Sequence, residues 1–480
     1  MGITNKIKIL FFIFPLFIYT QENSDDTSNL KVVDTLLHKV ERKQTLYSIS
    51  NIYKISIDDI KKYNPQIKGS KLSRRMFLNI PVIRKIKQEK KKFSKVNDSI
   101  DLLIPKLDFF NVNLIDSIIN KRLIKIALLA PFKLDQIELD SVENTKNYLK
   151  NLNLTTISLD FYSGAIMALG KGKENGINFE LEVIDTKNDY DSIVKILKNN
   201  KIEKYDFVLG PLIPRNINQV SGLSVKSKTP IVSPLSSKDI EINENVFQSM
   251  PSKKDQRERM FKYIDSLIID DPDPCVMIIY DDKNESVKDE LNKRFPYAEL
   301  INTDKNNGYV DPEITDSLLV STKKNFVFLE SENLNTITSV SSLLNSQISN
   351  ERNISMMTTF RSDVYENENI SFEHLGNLNF TYPSYYLPVY DDEKINLFNN
   401  LYLDDFGKRP NKIAIRGYDI TLDLILRVAF RKKLIKSIDL GETNYLQNKF
   451  NYFPFKKGFI NKSIYLIKHK KLNIIELNDD

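Results

Sequence analysis

Segments of strand length alternate with segments of helical periodicity along most of the chain from residue 122 onward. The apolar residues of 177–183 recur at the two-residue period of a strand, whereas Leu159, Tyr162 and Ile166 recur at helix spacing. The segments of this first block are 123–129, 159–169, 177–183, 193–197, 207–209, 217–223 and 231–233. Alternation of this kind predicts an α/β fold, in which helices cover both faces of a parallel sheet.

The same alternation then restarts, which predicts two similar α/β lobes. The segments of the second block are 274–280, 285–294, 325–329, 337–344 and 354–359. An aromatic extended stretch, two further helical segments and short strands follow toward the C-terminus, at 380–386, 394–406, 418–429 and 464–467. We expect one two-lobed domain over residues 122–480.

The chain has few residues of the kinds that build metal sites and nucleophilic centres. Among its 480 residues are one cysteine, Cys275, and three histidines, His38, His374 and His469, which lie far apart in sequence. A disulfide within the chain and a cysteine-rich zinc site are therefore excluded, and no local histidine motif for a metal can be written. Carboxylates are abundant, but nothing marks two of them as a catalytic pair. We predict no catalytic residues, no metal and no cofactor.

The N-terminus has the features of a secretion signal. Lys6 and Lys8 precede residues 9–19, an uncharged run that is too short to cross a bilayer but has the length of a signal-peptide apolar core. A short buried helix at a domain start is the alternative. We predict a signal peptide at residues 1–20, export across the inner membrane, and a mature protein in the periplasm or cell envelope without a transmembrane segment.

Residues 36–83 show the order strand, helix, helix, strand. Apolar residues at helix spacing in 46–53 follow Thr45, which is placed to cap that helix. Ser56 is placed to cap a second helix, with two aspartates in its first turn. Short apolar segments on either side, the clearer at 78–80, predict the two strands.

This segment resembles the LysM module, a peptidoglycan-binding domain, through V-x-x-x-x-T-L-x-x-I-S near its start, N-P in its middle and L-x-I-P at its end. The resemblance implies a shallow groove between two loops that binds chains containing N-acetylglucosamine. The residues implied to bind glycan are Gln44, Thr45, Leu46, Tyr47, Asn64, Pro65, Gln66 and Ile67. Helix capping by Thr45 and Asn64 is the simpler role for these two, and it is compatible with glycan binding.

Residues 84–121 are predicted to link the module to the larger domain. The stretch 84–95 has seven basic residues and one acidic residue, and so carries the whole formal net charge of +6. A solvated linker is the simplest interpretation, and contact with anionic phospholipid is the alternative. Because the formal charges of the rest of the chain sum to zero, the sequence does not indicate a nucleic-acid-binding face.

Four stretches of the long domain resemble the type I periplasmic-binding fold of branched-chain amino-acid receptors, namely 159–168, 182–189, 208–212 and 230–237. The resemblance implies two lobes joined by three crossing strands, with ligand held between them at loops that follow parallel strands. The cleft residues so implied are Pro211, Leu212, Ser233, Ser236 and Ser237, and Arg215 is added as a guanidinium that could meet an anion. Turn or N-cap chemistry is the alternative for Ser236 and Ser237, and a surface position is the alternative for Arg215.

The predicted fold class is therefore α/β, with a small βααβ LysM module followed by a two-lobed type I periplasmic-binding fold with parallel sheets. The favoured function is a non-enzymatic cell-envelope protein that binds peptidoglycan through LysM and binds an envelope partner protein or a small anionic ligand through the receptor-like domain. A periplasmic amino-acid-type receptor for transport is the alternative, although a wall tether fits poorly with delivering solute to a permease. A cell-wall hydrolase ranks last, because the long domain shows no Cys/His pair and no zinc motif.

Overall fold

The structure is a computed structural model of the chain. It describes residues 30–40, 45–53, 55–67, 69, 72, 76–85, 114, 122–137, 140–199, 202–224, 227–238, 240–270, 273–303, 308–388 and 392–477. The predicted signal peptide, Gln44 and most of the predicted linker lie outside these residues. The described residues form two compact units, 30–85 and 114–477. Within those ranges, no helix is both long enough and apolar enough to cross a membrane.

The small unit has the predicted order of strand, helix, helix and strand. Its elements are β1 (Leu30–Lys39), α1 (Leu46–Tyr53), α2 (Ile57–Lys62) and β2 (Phe77–Lys85). The two strands pair antiparallel, and buried aliphatic side chains from both helices and from β2 form the core beneath them. The Thr45 hydroxyl accepts from the backbone N–H of Ser48 at 3.1 Å, and Ser56 accepts from that of Asp59 at 3.0 Å. The predicted caps of both helices are therefore confirmed.

The large unit consists of two lobes. The first contains β3 (Ile124–Ala130), β4 (Phe179–Asp185), β5 (Phe207–Leu209), β6 (Ile231–Ser233), β7 (Val246–Gln248), β15 (Tyr452–Phe455) and β16 (Gly458–Asn461). Around them lie α3 (Val142–Lys150), α4 (Leu154–Glu174), α5 (Tyr190–Asn199), α6 (Pro214–Ser224), α12 (Glu393–Phe406) and α13 (Lys412–Arg431).

The second lobe repeats this plan. Its strands are β8 (Cys275–Tyr280), β9 (Glu299–Asn302), β10 (Asn325–Glu330), β11 (Ile354–Met357), β12 (Thr381–Ser384), β17 (Tyr465–Lys470) and β18 (Asn473–Glu476). Its helices are α7 (Lys253–Asp270), α8 (Glu285–Arg294), α9 (Pro312–Leu318), α10 (Leu334–Ser346) and α11 (Phe372–Asn377). A short hairpin of β13 (Thr443–Asn444) and β14 (Lys449–Phe450) stands apart from both large sheets.

The two large sheets share the order of their first five strands. The full order is β4-β3-β5-β6-β7-β16-β15 in the first lobe and β9-β8-β10-β11-β12-β17-β18 in the second. Neighbouring strands run parallel from β4 to β16 in the first sheet and from β9 to β12 in the second, where β17 is antiparallel to β12. The first five strands of each lobe enter their sheet in the same sequence, which confirms the prediction that the α/β pattern restarts to make a second lobe.

Helices α4 and α13 pack against each other with very little space between their backbones. A Cβ atom on Gly164 would lie 1.8 Å from the carbonyl oxygen of Ala414, and one on Gly417 would lie 2.3 Å from that of Phe161. Only glycine allows such an approach, because any side chain would have to displace the facing backbone. This contact fixes α13 on the first lobe, and α13 carries several of the residues described below.

The domain limits stay predictions. Strand β2 continues to Lys85, two residues into the predicted linker, and Leu114 is buried in the core of the first lobe.

Candidate functional site

The predicted glycan-binding residues of the small unit divide into exposed and buried members. Thr45, Tyr47, Pro65 and Gln66 are exposed, and Ile67 is half-buried. The Tyr47 side chain has 68% of its surface accessible. An exposed aromatic ring beside amide and hydroxyl groups suits a sugar, whose flat face is apolar and whose edge is polar. Leu46 contributes to the core instead.

Asn64 is buried and holds the loop after α2 onto β2. Its side-chain N–H groups donate to the carbonyl oxygens of Ile60 at 2.7 Å and Asn79 at 2.6 Å, and its oxygen accepts from the N–H of Asn79 at 2.7 Å. The Ile60 bond satisfies a carbonyl near the end of α2, which agrees with the expected helix-terminal role. Asn64 therefore shapes the loop that presents Pro65 and Gln66, and its own contact with glycan stays a prediction.

The cleft of the large unit lies where its parallel strands end. The chain passes between the lobes after β7, after β12 and after β16, so the carboxyl ends of both parallel sheets face these three crossings. In sheets of this order, ligands bind outside the carboxyl ends of the strands. The predicted residues on the loops after β5 and β6 lie at this edge of the first lobe, and their contact with a ligand stays a prediction.

The individual cleft residues of the first lobe differ in accessibility. Pro211 is buried, and Leu212 packs in the hydrophobic core. Ser236 is buried and accepts from the N–H of Lys238 at 3.1 Å, which is turn chemistry. Ser237 is half-buried. Arg215 is exposed in the first turn of α6, so any part that it plays in ligand binding stays a prediction and belongs to the rim.

Ser233 has an unusual environment at the end of β6. Its side chain is fully buried, yet within the part of the chain that the structure describes its hydroxyl makes no hydrogen bond. Its carbonyl oxygen accepts from the hydroxyl of Ser249 at 2.7 Å. An unbonded buried hydroxyl costs free energy, and it is the kind of group that a ligand can satisfy.

Arg416 on α13 bonds to Pro234, the residue after Ser233, and sequence reasoning missed it. Its guanidinium donates to the carbonyl oxygen of Pro234 at 3.1 Å, to the carbonyl and hydroxyl oxygens of Ser249 at 2.9 and 2.8 Å, and to the side-chain oxygen of Asn448 at 2.8 Å. The ring of Phe450 lies 4.9 Å from the guanidinium carbon. Among the described residues, no carboxylate is within ion-pair distance of Arg416, and the buried carboxylates of Asp419 and Asp423 act on its charge from farther along α13.

All three crossings are bonded to this Arg416 region. Ser249 belongs to the first crossing, and Asn461 at the end of β16 donates to the Ser249 carbonyl oxygen at 2.9 Å. In the second crossing, Leu387 donates its N–H to the carbonyl oxygen of Gln447 at 2.8 Å. The segment around Gln447 is in turn bound by α13. Arg416 is thus part of a hydrogen-bonded hinge rather than a surface charge.

Asp419, one turn after Arg416, binds the segment beside β14. Its buried carboxylate accepts from the backbone N–H groups of Leu446, Gln447 and Asn448 and from the Asn448 side chain, at 2.7 to 3.0 Å. Burial raises the pKa of Asp419 to about 6, and these donors oppose the rise. The four bonds stabilise the loop that supplies Asn448 to Arg416.

In the second lobe, Glu330 occupies the end of β10. Its carboxylate accepts from the N–H of Thr359 at 2.6 Å and from the Thr359 hydroxyl at 2.8 Å. Burial raises the pKa of Glu330 to about 7, while the Thr359 bonds and the charge of Arg257 act in the opposite direction. Glu330 therefore changes its protonation near neutral pH at the edge of the sheet that faces the cleft.

A network of charges also connects the lobes beside the hinge. Lys412 at the start of α13 lies 2.9 Å from Asp363 and 3.0 Å from Glu366, both of which follow β11 in the second lobe. Glu366 also accepts from the hydroxyl of Tyr386 and pairs with Arg361 at 3.2 Å. Lys412 and Glu366 are each about one-third exposed, so this contact stabilises the arrangement of the lobes only weakly.

Comparison with known proteins identifies the small module. Residues 38–81 match the family model of the LysM domain. No curated protein matches the chain significantly. Similar solved structures include an ABC transporter substrate-binding protein from Desulfitobacterium hafniense in complex with Leu, with 14% identity and a TM-score of 0.42 over 74% of this chain and 100% of that one.

Two further similar structures are branched-chain amino acid ABC transporter proteins. The putative one from Rhodospirillum rubrum has 12% identity and a TM-score of 0.48, over 74% of this chain and 99% of that one. The one from Rhodopseudomonas palustris has 12% identity and a TM-score of 0.46, over 74% and 96%. The two mostly parallel sheets and the three crossings of the large unit are observed in the structure itself, without these likenesses. The chain thus contains a LysM domain followed by a two-lobed unit of the type I periplasmic-binding fold.

Proposed function

We propose that this protein is exported and binds peptidoglycan through residues 38–81. The observation that carries the proposal is the LysM match, together with an exposed face that presents Tyr47, Thr45 and Gln66. A sugar chain lying there would cover the Tyr47 ring with its apolar face and bond its hydroxyl and acetamide groups to the neighbouring polar groups. The apolar segment at residues 9–19 supports export.

Sedimentation with purified peptidoglycan tests this proposal at the level of one side chain. Tyr47→Ala removes the exposed ring without touching the core and should reduce the sedimented fraction several-fold. Asp58→Ala is the matched control, because Asp58 is also exposed in this unit but is not among the predicted glycan residues. If both variants sediment like the parent, the proposed glycan face is wrong.

We further propose that the large unit acts without catalysis and binds a small anionic ligand, or a partner protein with an acidic group, at its cleft. Arg416 supports this proposal, because its buried guanidinium bonds to the carbonyl oxygen of Pro234, the residue that follows the unbonded hydroxyl of Ser233. An anion that entered on opening of the lobes would find one charge and one hydrogen-bond donor already in place. The rim position of Arg215 would add only a screened attraction.

Ser233→Ala separates ligand binding from stability. The substitution removes a buried hydroxyl that has no hydrogen bond, so the ligand-free protein should be as stable as the parent or slightly more stable. The increase in melting temperature produced by an anionic ligand should decrease, because a bond to that ligand is lost. Ser158→Ala is the control, since Ser158 is also buried but its hydroxyl donates to the carbonyl oxygen of Leu154 within α4. A panel of carboxylates, phosphates and amino acids supplies the probes, and an unchanged ligand-induced shift in Ser233→Ala would contradict the proposed site.

A solute-binding receptor for transport is the second candidate. The weak ion pairs of Lys412 support it, because lobes held by half-exposed charges can separate to admit a solute. Amino-acid probes in the same panel distinguish the candidates: tight binding of a free amino acid favours the receptor, whereas binding of acidic peptides or anions alone favours the envelope role.

A further inference from the structure

The end of the first lobe that is farthest from the cleft carries cations and exposed apolar side chains together. Helix α13 begins at the hinge, and Arg122, which precedes β3, donates to the carbonyl oxygen of Lys432 beyond its other end at 2.6 Å. Strand β16 runs parallel to β7 and ends at the crossing, so the β15–β16 turn lies at this far end too. We call this surface the basic pole and define it by Leu123, Lys432, Lys433, Ile435, Lys436 and Phe455.

The positive charge of the basic pole is not neutralised locally. Lys432, Lys433 and Lys436 are all exposed, and none of them forms an ion pair within the described ranges of the chain. The neighbouring Arg431 does have a partner, Asp439 at 3.3 Å. Three adjacent cations without acidic partners attract an anionic surface, and their alkyl stems can lie along apolar material while the ammonium groups stay at its polar boundary.

Three large apolar side chains of the basic pole are exposed. Leu123 and Ile435 each expose 45% of their surface, and Phe455 exposes 41%. Ile435 also borders an open groove of about 580 Å³, which is lined by Phe430 and Ile438, by the basic residues Arg431, Lys432 and Lys436, and by Asp439, the partner of Arg431. A soluble polyanion would neutralise the lysines but would gain little from these apolar groups. A bilayer interface accommodates both, because its anionic headgroups lie directly above hydrocarbon.

We propose that the basic pole docks on the surface of an anionic phospholipid bilayer. Lys432, Lys433 and Lys436 contact the headgroups, and Ile435 and Phe455 enter the boundary with the acyl chains. Docking by this face leaves the cleft at the other end of the lobe open to ligand.

Co-sedimentation of the full chain with vesicles tests the proposal. The protein should bind phosphatidylcholine vesicles that contain phosphatidylglycerol and should not bind pure phosphatidylcholine. Because a lysine near such a surface contributes about 1 kcal/mol, the combined Lys432→Gln, Lys433→Gln and Lys436→Gln variant should lose on the order of 100-fold in partition coefficient. The Ile435→Ser and Phe455→Ser pair should lose roughly tenfold.

A charge-matched control separates the basic pole from the basic stretch at 84–95. The control variant Lys90→Gln, Lys91→Gln and Lys92→Gln removes the same number of positive charges. The partition coefficient of the pole lysine variant should decrease about 100-fold whether or not the control variant also binds vesicles more weakly. Undiminished vesicle binding by the pole variant would overturn the proposal. A loss with the lysine variant but not with the Ile435/Phe455 pair would show a polyanion site instead of a bilayer site, and would overturn it as well. Unchanged melting temperatures show that the variants fold.

Discussion

Removal of the Arg416 side chain should destabilise the large unit far more than removal of an exposed arginine on the same helix. In Arg416→Met, the carbonyl oxygen of Pro234 and the side-chain oxygen of Asn448 lose their guanidinium donors, whereas the Ser249 carbonyl keeps its bond from Asn461. Each buried acceptor left unsatisfied costs about 1–3 kcal/mol. The substitution also removes the cost of burying the guanidinium charge, which offsets part of that loss. We expect the free energy of unfolding to decrease by about 3 kcal/mol.

Urea unfolding followed by far-ultraviolet circular dichroism measures this change, since the chain has no tryptophan for fluorescence. Arg431→Met is the control: Arg431 is exposed and pairs only with Asp439, so its loss should cost less than about 1 kcal/mol. An equal effect of the two substitutions, or a loss below about 1 kcal/mol for Arg416→Met, would refute the view that Arg416 stabilises the hinge.

Three further outcomes follow from burial and close packing. Gly164→Ala should destabilise the large unit by about 2 kcal/mol or more, because the new Cβ atom would overlap the carbonyl group of Ala414. Gly222→Ala is the control: its Cβ atom would meet open space, so thermal unfolding should show a neutral or stabilising effect. Because the pKa of Glu330 is about 7 rather than 4.5, the native state binds more protons than the unfolded state between these pH values, and its stability falls as the pH rises through them. The stability of Glu330→Gln relative to the parent should therefore increase from about pH 5 to about pH 8. A difference in unfolding free energy that stays constant over this range would contradict the burial of Glu330. Arg215→Ala should change the binding of an anionic ligand only slightly and in a salt-dependent way, and a loss of more than tenfold in affinity would place Arg215 inside the cleft.

The periodicity of apolar residues predicted most of the secondary structure, because the helices and strands of this fold bury side chains at regular intervals along the chain. Strands such as β5 and β6 are buried on both faces, so each appears in the sequence as a short run of apolar residues. The parallel strands of the second lobe show the same pattern. Helix α7 was missed, although it is 18 residues long. Its first turns are mostly charged, and the apolar residues that pack it against the second lobe, among them Met260, Ile264 and Leu267, begin only near its middle. The weak part of the pattern was thus a helix whose first half carries no apolar stripe.

The site was less predictable than the fold. Ser233 and Ser236 were expected at the cleft because they follow a parallel strand, and that argument depends only on chain direction. Arg416 gave no such signal, since a single arginine in an amphipathic helix usually faces solvent. Its burial results from the close approach of α4 and α13 at Gly164 and from bonds to residues far away in sequence. Contacts of that kind appear only when the chain is folded.

The most direct test of the proposed function is whether the small unit alone makes the chain bind peptidoglycan. The full chain and a chain lacking residues 30–85 are sedimented with purified peptidoglycan at about 1 M salt, where the Debye length of about 3 Å suppresses binding by the basic residues. The account predicts that the full chain sediments and is released by N-acetylglucosamine oligomers, while the shortened chain stays in solution. Equal sedimentation of the two chains would contradict it.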